Sequence, residues 1–236
     1  MLWPLDSLLG FAMQEQDGDL GKVHDFFFDD AEWRVRYLVV ETGRWFHRRR
    51  VLIAAGIVSS TAWEQRRFCV PLTKEQVRNS PPVDTDAPVS RQHEIEMQVH
   101  YGWPAYWTME PYTLTPPPEA VTNATEETPR GDPHLRSFRE VTSYRAWSKE
   151  GFAGFVEDFY VDCQNWEITA LRVALGEWWP HKVVMLERRR VTEISWREKL
   201  VRFGMNRAEM EAAPTPPART KQAAGRSVPP GQGSGR

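Results

Sequence analysis

Two short runs of basic side chains are the first residues in this sequence whose types and spacing could do chemistry. Phosphate contacts require clustered arginines, and the chain has His47-Arg48-Arg49-Arg50 and Arg188-Arg189-Arg190. Charge at a strand edge also discourages edge pairing, which is the commoner use of such runs. The formal net charge of -2 argues against a generally basic nucleic-acid-binding protein. RNA or phosphate binding is therefore an alternative hypothesis, through Arg48, Arg49, Arg50, Arg188, Arg189 and Arg190.

Patterns typical of catalysis and metal binding are absent from the sequence. The six histidines include no pair with zinc-ligand spacing, and there is no Cys-x-x-Cys, Gly-x-Ser-x-Gly, Walker loop or dinucleotide fingerprint. Asp25 and Asp158 could support acid–base chemistry, but they occupy matching positions of an internal repeat. A structural bond made twice explains such a pair better than two active sites. We therefore predict no catalytic residue, no metal and no cofactor, and a protein that is not an enzyme.

The internal repeat is the strongest feature of the chain. Shifting the sequence by 133 positions, so that Gly18 falls on Gly151, aligns it with itself without a gap. Chance rarely places three tryptophan pairs in one ungapped register, so we infer a tandem duplication. The paired tryptophans are Trp33 and Trp166, Trp45 and Trp178, and Trp63 and Trp196.

Tryptophans shared by the two copies are expected to pack in the core, because large rings dominate the energetics of small domains. This expectation covers Trp33, Trp166, Trp63 and Trp196. Replacement of Trp33 or Trp166 by alanine would then cost about 3–5 kcal/mol, as for other buried large-to-small changes.

Each copy is predicted to be β structure that ends in a short helix. Asp17-Gly18 and Glu150-Gly151 are hairpin-turn signals, and strand-like alternation follows both. Thr73-Lys74-Glu75-Gln76 has the capping-box pattern of a helix start, and Asn206-Arg207-Ala208-Glu209 keeps the same chemistry. Several short strands followed by one helix predict a small barrel or rolled sheet.

The first copy resembles the PRC-barrel domain in four runs, which are Gly21–Asp30, Trp33–Gly43, Arg49–Ile53 and Leu72–Pro81. The resemblance is greatest to stand-alone bacterial proteins with two such domains. The family also includes the cytoplasmic part of the photosynthetic reaction-centre H subunit and the C-terminal domain of a ribosome maturation factor. The resemblance implies a compact barrel with a short terminal helix, and no agreed catalytic residue. The predicted fold class is therefore all-β, with two tandem PRC-type barrels.

The predicted domain organisation is a first barrel, a linker rich in proline and aromatic residues, a second barrel and a disordered tail, at residues 1–81, 82–135, 136–214 and 215–236. Aromatic residues are unusual in a free linker, so those of the linker are expected to pack on a barrel or to contact a partner. They include Tyr101, Trp103, Tyr106 and Trp107.

The leading functional hypothesis is a non-enzymatic protein-interaction or scaffold module with an unknown protein partner. Two similar barrels can meet isologously, as a pseudo-dimer within the chain or as a homodimer of chains. The loops at Trp45-Phe46 and Trp178-Trp179 match in the repeat, and we expect them to build that contact. The candidate partner-contact residues are Trp45, Phe46, Arg48, Arg49, Arg50, Tyr101, Trp103, Tyr106, Trp107, Trp178, Trp179, Arg188, Arg189 and Arg190.

The sequence also predicts where the protein resides. No stretch approaches the roughly 20 apolar residues that cross a bilayer, and the start of the chain does not look like a signal peptide. Cys69 and Cys163 stand at non-equivalent repeat positions, which argues against a disulfide framework. We therefore predict a bacterial cytoplasmic protein without membrane insertion.

Overall fold

The computed structural model describes residues 2–15, 18–42, 49–80, 99–102, 135–177 and 182–217. Within these ranges the chain forms one continuous 14-stranded sheet with a few short helices. The predicted all-β class is confirmed. No helix in the described ranges combines the length and the apolar character that crossing a bilayer needs.

Twelve of the strands fall into two equivalent sets, related by the shift of 133 positions. The strands of the first set are β2 (Ala12–Glu15), β3 (Gly18–Asp29), β4 (Arg34–Thr42), β5 (Arg49–Ala54), β6 (Ser60–Ala62) and β7 (Arg67–Cys69). Those of the second set are β9 (Arg145–Ser148), β10 (Gly151–Asp162), β11 (Glu167–Leu175), β12 (Lys182–Glu187), β13 (Val191–Ser195) and β14 (Leu200–Phe203). Both sets have the same neighbour order, β5-β4-β3-β2-β7-β6 in the first and β12-β11-β10-β9-β14-β13 in the second.

Two equivalent glycines let the longest strands cross their neighbours at close range. Gly21 in β3 has φ 151° and Gly154 in β10 has φ 157°. A Cβ atom at Gly21 would overlap the carbonyl oxygen of Glu41, and one at Gly154 would overlap that of Ala174. Only glycine tolerates both the conformation and the close approach, which explains why it stands at both positions.

Each set ends in a short helix that begins with a capping box, as predicted. In the helix Lys74–Asn79, the Thr73 hydroxyl accepts from the Gln76 N–H at 3.2 Å, and the Gln76 side chain accepts from the Thr73 N–H at 2.9 Å. In the helix Arg207–Glu211, Asn206 and Glu209 make the same two bonds, at 2.8 and 2.7 Å. These bonds satisfy N–H groups that a helix start leaves without intrahelical partners.

The two remaining strands are exchanged between the sets. Strand β1 (Leu2–Pro4) precedes the first set but pairs antiparallel with β10 of the second. Strand β8 (Leu135–Ser137) precedes the second set but pairs antiparallel with β3 of the first. Leu2 lies opposite Asp162 and Leu135 lies opposite Asp29, so the two pairings are equivalent in the repeat. Neither set is complete without a strand from the other.

A pseudo-two-fold axis passes between β4 and β11, where Arg34 pairs with its repeat equivalent Glu167. The carbonyl of Trp166 accepts from the Val35 N–H at 2.9 Å, and that of Trp33 accepts from the Ile168 N–H at 2.7 Å. Trp33 and Trp166 both have left-handed backbones, with φ 56° and 60°. The shared conformation directs both carbonyls across the axis, a role that the sequence did not indicate.

One buried apolar cluster runs through both sets. Phe28 of the first set packs edge-on against Phe159 of the second, with ring centroids 5.1 Å apart. Trp166 of the second set lies 6.4 Å from Phe26 and 5.7 Å from Phe68 of the first. Because the sets share a core and exchange strands, they form a single packed body in the described ranges. The domain boundaries and the division into two barrels stay predictions.

Candidate functional site

Two buried carboxylates, Asp25 and Asp158, join the sets. Asp25 lies in β3, where its Oδ1 accepts from the N–H groups of Phe26 at 2.7 Å and Arg139 at 3.0 Å. Its Oδ2 accepts from the Ser137 hydroxyl at 2.6 Å. Asp25 therefore fixes both the exchanged strand β8 and the short helix Phe138–Val141 that follows it.

Asp158 repeats this arrangement in β10. Its Oδ1 accepts from the N–H groups of Phe159 at 2.8 Å and Asp6 at 3.1 Å, and Asp6 follows the exchanged strand β1. Pro4 occupies the position equivalent to Ser137 and has no hydroxyl to donate. The structural bond predicted for the two aspartates is confirmed at both positions.

Burial raises the pKa of the Asp25 carboxyl, because its charged form is removed from water. The Ser137 hydroxyl and the two backbone N–H groups favour the charged form and oppose that shift. The side chain is 5% exposed, so it has little access to solvent or substrate. This carboxyl is suited to holding the junction rather than to proton transfer.

His24 and Cys163 are two further titratable groups whose pKa the surrounding protein shifts. Burial lowers the pKa of His24, as do the charges of Arg50 and Arg139, and the Arg139 guanidinium lies 3.4 Å from its ring nitrogen. Burial raises the pKa of the Cys163 thiol to about 12, so its thiolate is scarce at neutral pH. No group of three His, Cys, Asp or Glu side chains in the described ranges could hold a metal ion.

The run Arg188-Arg189-Arg190 forms a 3-10 turn between β12 and β13. Arg188 donates to the Glu167 carboxylate at 2.5 Å and to the Glu32 carbonyl at 3.0 Å, so it bridges the two sets. Arg189 pairs with the Glu187 carboxylate, and Arg190 is exposed. Two of these three arginines therefore pair with carboxylates of the chain, Arg188 at the junction and Arg189 at the surface.

Arg49 and Tyr101 lie together beside the first terminal helix. Arg49 donates to the Arg78 carbonyl at 2.5 Å. Tyr101 is 8% exposed and belongs to the core cluster, with its pKa raised by burial. Tyr101 thus packs on the first set, which is one of the two alternatives predicted for the linker aromatics, and its contact with a partner stays a prediction. Arg50 is half-buried in β5 and lies opposite Glu41.

The remaining candidate contact residues lie outside the described ranges. They are Trp45, Phe46, Arg48, Trp103, Tyr106, Trp107, Trp178 and Trp179. The junction within the described ranges is built by β1, β8, β4 and β11, and the contact expected from the loops at Trp45-Phe46 and Trp178-Trp179 stays a prediction.

The repeated tryptophans near the ends of the sets differ in burial. Trp63 stacks on Trp3 with ring centroids 4.1 Å apart and planes at 3°. Its equivalent Trp196 is 45% exposed, with the Lys199 ammonium 4.5 Å above the ring. The prediction of core packing is wrong for Trp196, because Arg136 stands where the first set has Trp3.

Arg136 instead pairs with Asp30 at 2.8 Å. The pair lines a cleft of about 360 Å³ at the junction, together with Trp33 and residues 191–194. Glu193, the third charged residue of the cleft, pairs with Arg202, so each of the three charges already has a partner within the protein.

A group of aromatic residues that was not predicted from the sequence lies on the outside of the second set. Phe155 is 39% exposed, and Phe152 and Trp147 are half-buried beside it. Phe152 lies opposite Trp147 across β9 and β10, and packs edge-on against Phe155 with centroids 5.3 Å apart. We call Trp147, Phe152 and Phe155 the aromatic face. The sequence feature that could have predicted it is the set of positions at which the second copy has aromatic residues and the first copy does not.

Comparison with known proteins supports the family resemblance in the first set. The sequence profile of the PRC-barrel domain matches residues 11–77, which run from before β2 into the first terminal helix. No curated protein sequence matches the chain significantly. Membership of the second set in the same family stays a prediction, supported by its equivalent strand order. The chain therefore carries a PRC-barrel domain in its first repeat.

Proposed function

We propose that this protein is a non-enzymatic PRC-barrel scaffold of the bacterial cytoplasm, in which two barrels form an intramolecular pseudo-dimer that binds protein partners. The reciprocal exchange of β1 and β8 carries the proposal. The exchange fixes the outer faces of the two sets relative to each other, as a scaffold requires. The faces share a backbone design but differ in side chains, so each can select its own partner.

The polar groups that an enzyme would need have structural uses here, which supports the non-enzymatic part of the proposal. Asp25 and Asp158 hold backbone N–H groups of the exchanged segments. Asp30 and Arg136 neutralise each other in the junction cleft. The cytoplasmic location is supported by Cys69 and Cys163, which are free cysteines and suit a reducing compartment.

Small-angle scattering of the full chain tests the pseudo-dimer. We expect the described sets to scatter as one compact body at every protein concentration. An extended profile of two separate beads would contradict the shared core and the strand exchange.

Affinity capture of the tagged full chain from its own cells tests the scaffold role, with the tag alone as control. We expect at least one protein to remain bound in fixed stoichiometry through size-exclusion chromatography. Recovery of the chain alone, together with substrate turnover that a folded Asp25→Asn variant loses, would instead identify an enzyme.

RNA binding is the alternative hypothesis, and the contacts of Arg188 with Glu167 and Glu32 weigh against it. Filter binding over a range of salt concentrations tests it, since phosphate contacts weaken steeply with salt. Salt-sensitive retention that Arg190→Ala abolishes would favour RNA over a protein partner.

A further inference from the structure

The aromatic face is not required by the fold, because the first set builds the same surface from polar residues. The equivalents of Trp147, Phe152 and Phe155 in the first set are Gln14, Asp19 and Lys22. Asp19 and Lys22 are exposed there, as expected for a solvated strand. Identical backbones therefore carry a polar surface in one set and an aromatic surface in the other.

The difference extends along a row of cross-strand neighbours. In the first set Lys22 lies opposite Glu41, which lies opposite Arg50, so the row is charged throughout. In the second set Phe155 lies opposite Ala174, which lies opposite Val183, so the row is apolar. Ala174 is buried and Val183 is half-buried, so Phe155 carries the exposed part of this apolar row. Exposed apolar side chains rimmed by charged residues are typical of interaction sites.

Two exposed cations lie beside the aromatic face. Arg145 lies opposite Phe155, and Lys149 lies four residues along the same segment, with Trp147 between them. Both cations are exposed, and neither pairs with a carboxylate in the described part of the chain. Arg145 donates only to the backbone carbonyl of Glu198, at 3.1 Å.

The neighbouring acids, by contrast, already accept hydrogen bonds. Glu157 pairs with Arg172 at 2.8 Å, and Glu193 and Glu198 both pair with Arg202 at 2.9 and 2.7 Å. Carboxylates supplied from outside could therefore bind Arg145 and Lys149 without breaking an existing ion pair. Arg145 begins β9 and Lys149 lies in the turn directly after it, so the two cations flank Trp147 along the chain.

From this geometry, and resting on the scaffold role proposed above, we propose that the aromatic face binds an acidic segment of a partner protein. The segment carries two carboxylates, which pair with Arg145 and Lys149. An apolar side chain between them packs on Trp147, Phe152 and Phe155.

Two other occupants fit the surface less well. If the aromatic face met the same face of a second copy, Arg145 and Lys149 would approach the acids around it, which already pair with arginines. Single-stranded nucleic acid needs open ring faces for base stacking. Here the Arg202 guanidinium lies 5.7 Å from the centroid of the Trp147 ring, and Phe152 and Phe155 pack on each other.

Selection from a random library of twelve-residue peptides displayed on phage tests the proposal on the full chain. The key variant is Phe152→Asp with Phe155→Lys, which installs residues that the first set tolerates at the same positions. We expect wild-type protein to enrich peptides with two acids flanking an apolar residue. Synthetic copies of these peptides should bind the key variant about 30-fold more weakly, the loss typical of hot-spot residues.

Three further measurements show whether a loss of peptide binding is specific to the aromatic face, depends on the two cations, or results from unfolding. The matched control Asp19→Ala with Lys22→Ala alters the polar face of the first set and should leave peptide affinity unchanged. Arg145→Glu with Lys149→Glu should weaken binding and reduce its salt dependence. Circular dichroism and thermal midpoints must show that every variant is folded.

The proposal is overturned if the library yields no acidic motif, or if enriched peptides bind wild type and the key variant equally. It is also overturned if the key variant loses self-association or RNA retention instead of peptide binding. A cellular partner that stays bound to the key variant would refute the aromatic face as its site while leaving the scaffold role intact. If neither a cellular partner nor an enriched peptide were found, the scaffold role and the aromatic face as a binding site would both be refuted.

Discussion

Trp166 is the residue whose loss should damage the junction most. Its ring comes from the second set, is 6% exposed, and lies within 6.4 Å of Phe26 and 5.7 Å of Phe68 in the first set. Trp166→Ala should therefore cost about 3–5 kcal/mol, as for other tryptophans removed from a core. With a urea m-value of about 3 kcal/mol/M, that cost lowers the denaturation midpoint by about 1–1.7 M.

Trp33→Ala is the matched control, because Trp33 has the same left-handed turn and the same carbonyl bond across the axis. Its ring is half-buried, lines the open junction cleft and stacks on Phe28 of its own set, 6.2 Å away. We expect a cost of about 1–2 kcal/mol, since less apolar area is lost. The sequence predicted equal losses of unfolding free energy for the two variants, whereas the structure predicts a larger loss for Trp166→Ala.

Urea denaturation followed by far-ultraviolet circular dichroism measures both variants under the same conditions. Backbone effects should cancel, since alanine enters the same conformation in each case. Equal midpoints for the two variants, or a larger loss for Trp33→Ala, would refute the argument that Trp166 fills the core of the other set.

Two other predictions concern the junction and the crossing of the strands. The folded state raises the pKa of Asp25, so the stability linked to this group is complete in acid and is lost as pH rises through that pKa. Asp25→Asn can keep the bonds from the Phe26 and Arg139 N–H groups, but its amide nitrogen cannot accept from the Ser137 hydroxyl. Because Asn does not ionise, the stability of this variant relative to wild type should increase from acid to neutral pH in urea titrations; a difference that shrinks with pH would contradict this. Gly154→Ala should lower stability by about 3 kcal/mol or more in thermal denaturation, because its Cβ would overlap the Ala174 carbonyl. Gly151→Ala is the control, with positive φ but no atom within 4 Å of the added Cβ, and an equal loss there would show that conformation alone is responsible.

Local features of the fold could be predicted from the sequence because they depend on nearby residues. The capping boxes at Thr73 and Asn206 and the all-β class are of this kind. The exchange of β1 and β8 could not be predicted, because an internal alignment gives equivalent strands but not which copy each one joins. Both choices satisfy the same pattern, and only long-range packing decides between them.

The candidate sites show a second limit of sequence reasoning. Identity between the copies drew attention to Trp63 and Trp196, yet their burial depends on Trp3 and Arg136, which differ. The arginine run at Arg188 suggested phosphate binding because the sequence does not show its contacts with Glu167 and Glu32. The aromatic face could not be predicted from the internal repeat, because the repeat is recognised by residues that the two copies share. This surface consists of residues that differ between them.

The strand exchange also sets the order of events while the chain is being synthesised. The bond from the Asp6 N–H to Asp158 joins positions 152 residues apart, and that from Arg139 to Asp25 spans 114. At about 5–20 residues per second, β1 waits about 8–30 s for the strand it joins. The edge of β3 that receives β8 stays unpaired until residues 135–137 leave the ribosome. During that interval a nascent chain exposes a strand edge able to pair with another copy, so slow or crowded synthesis should favour misassembly between neighbouring chains.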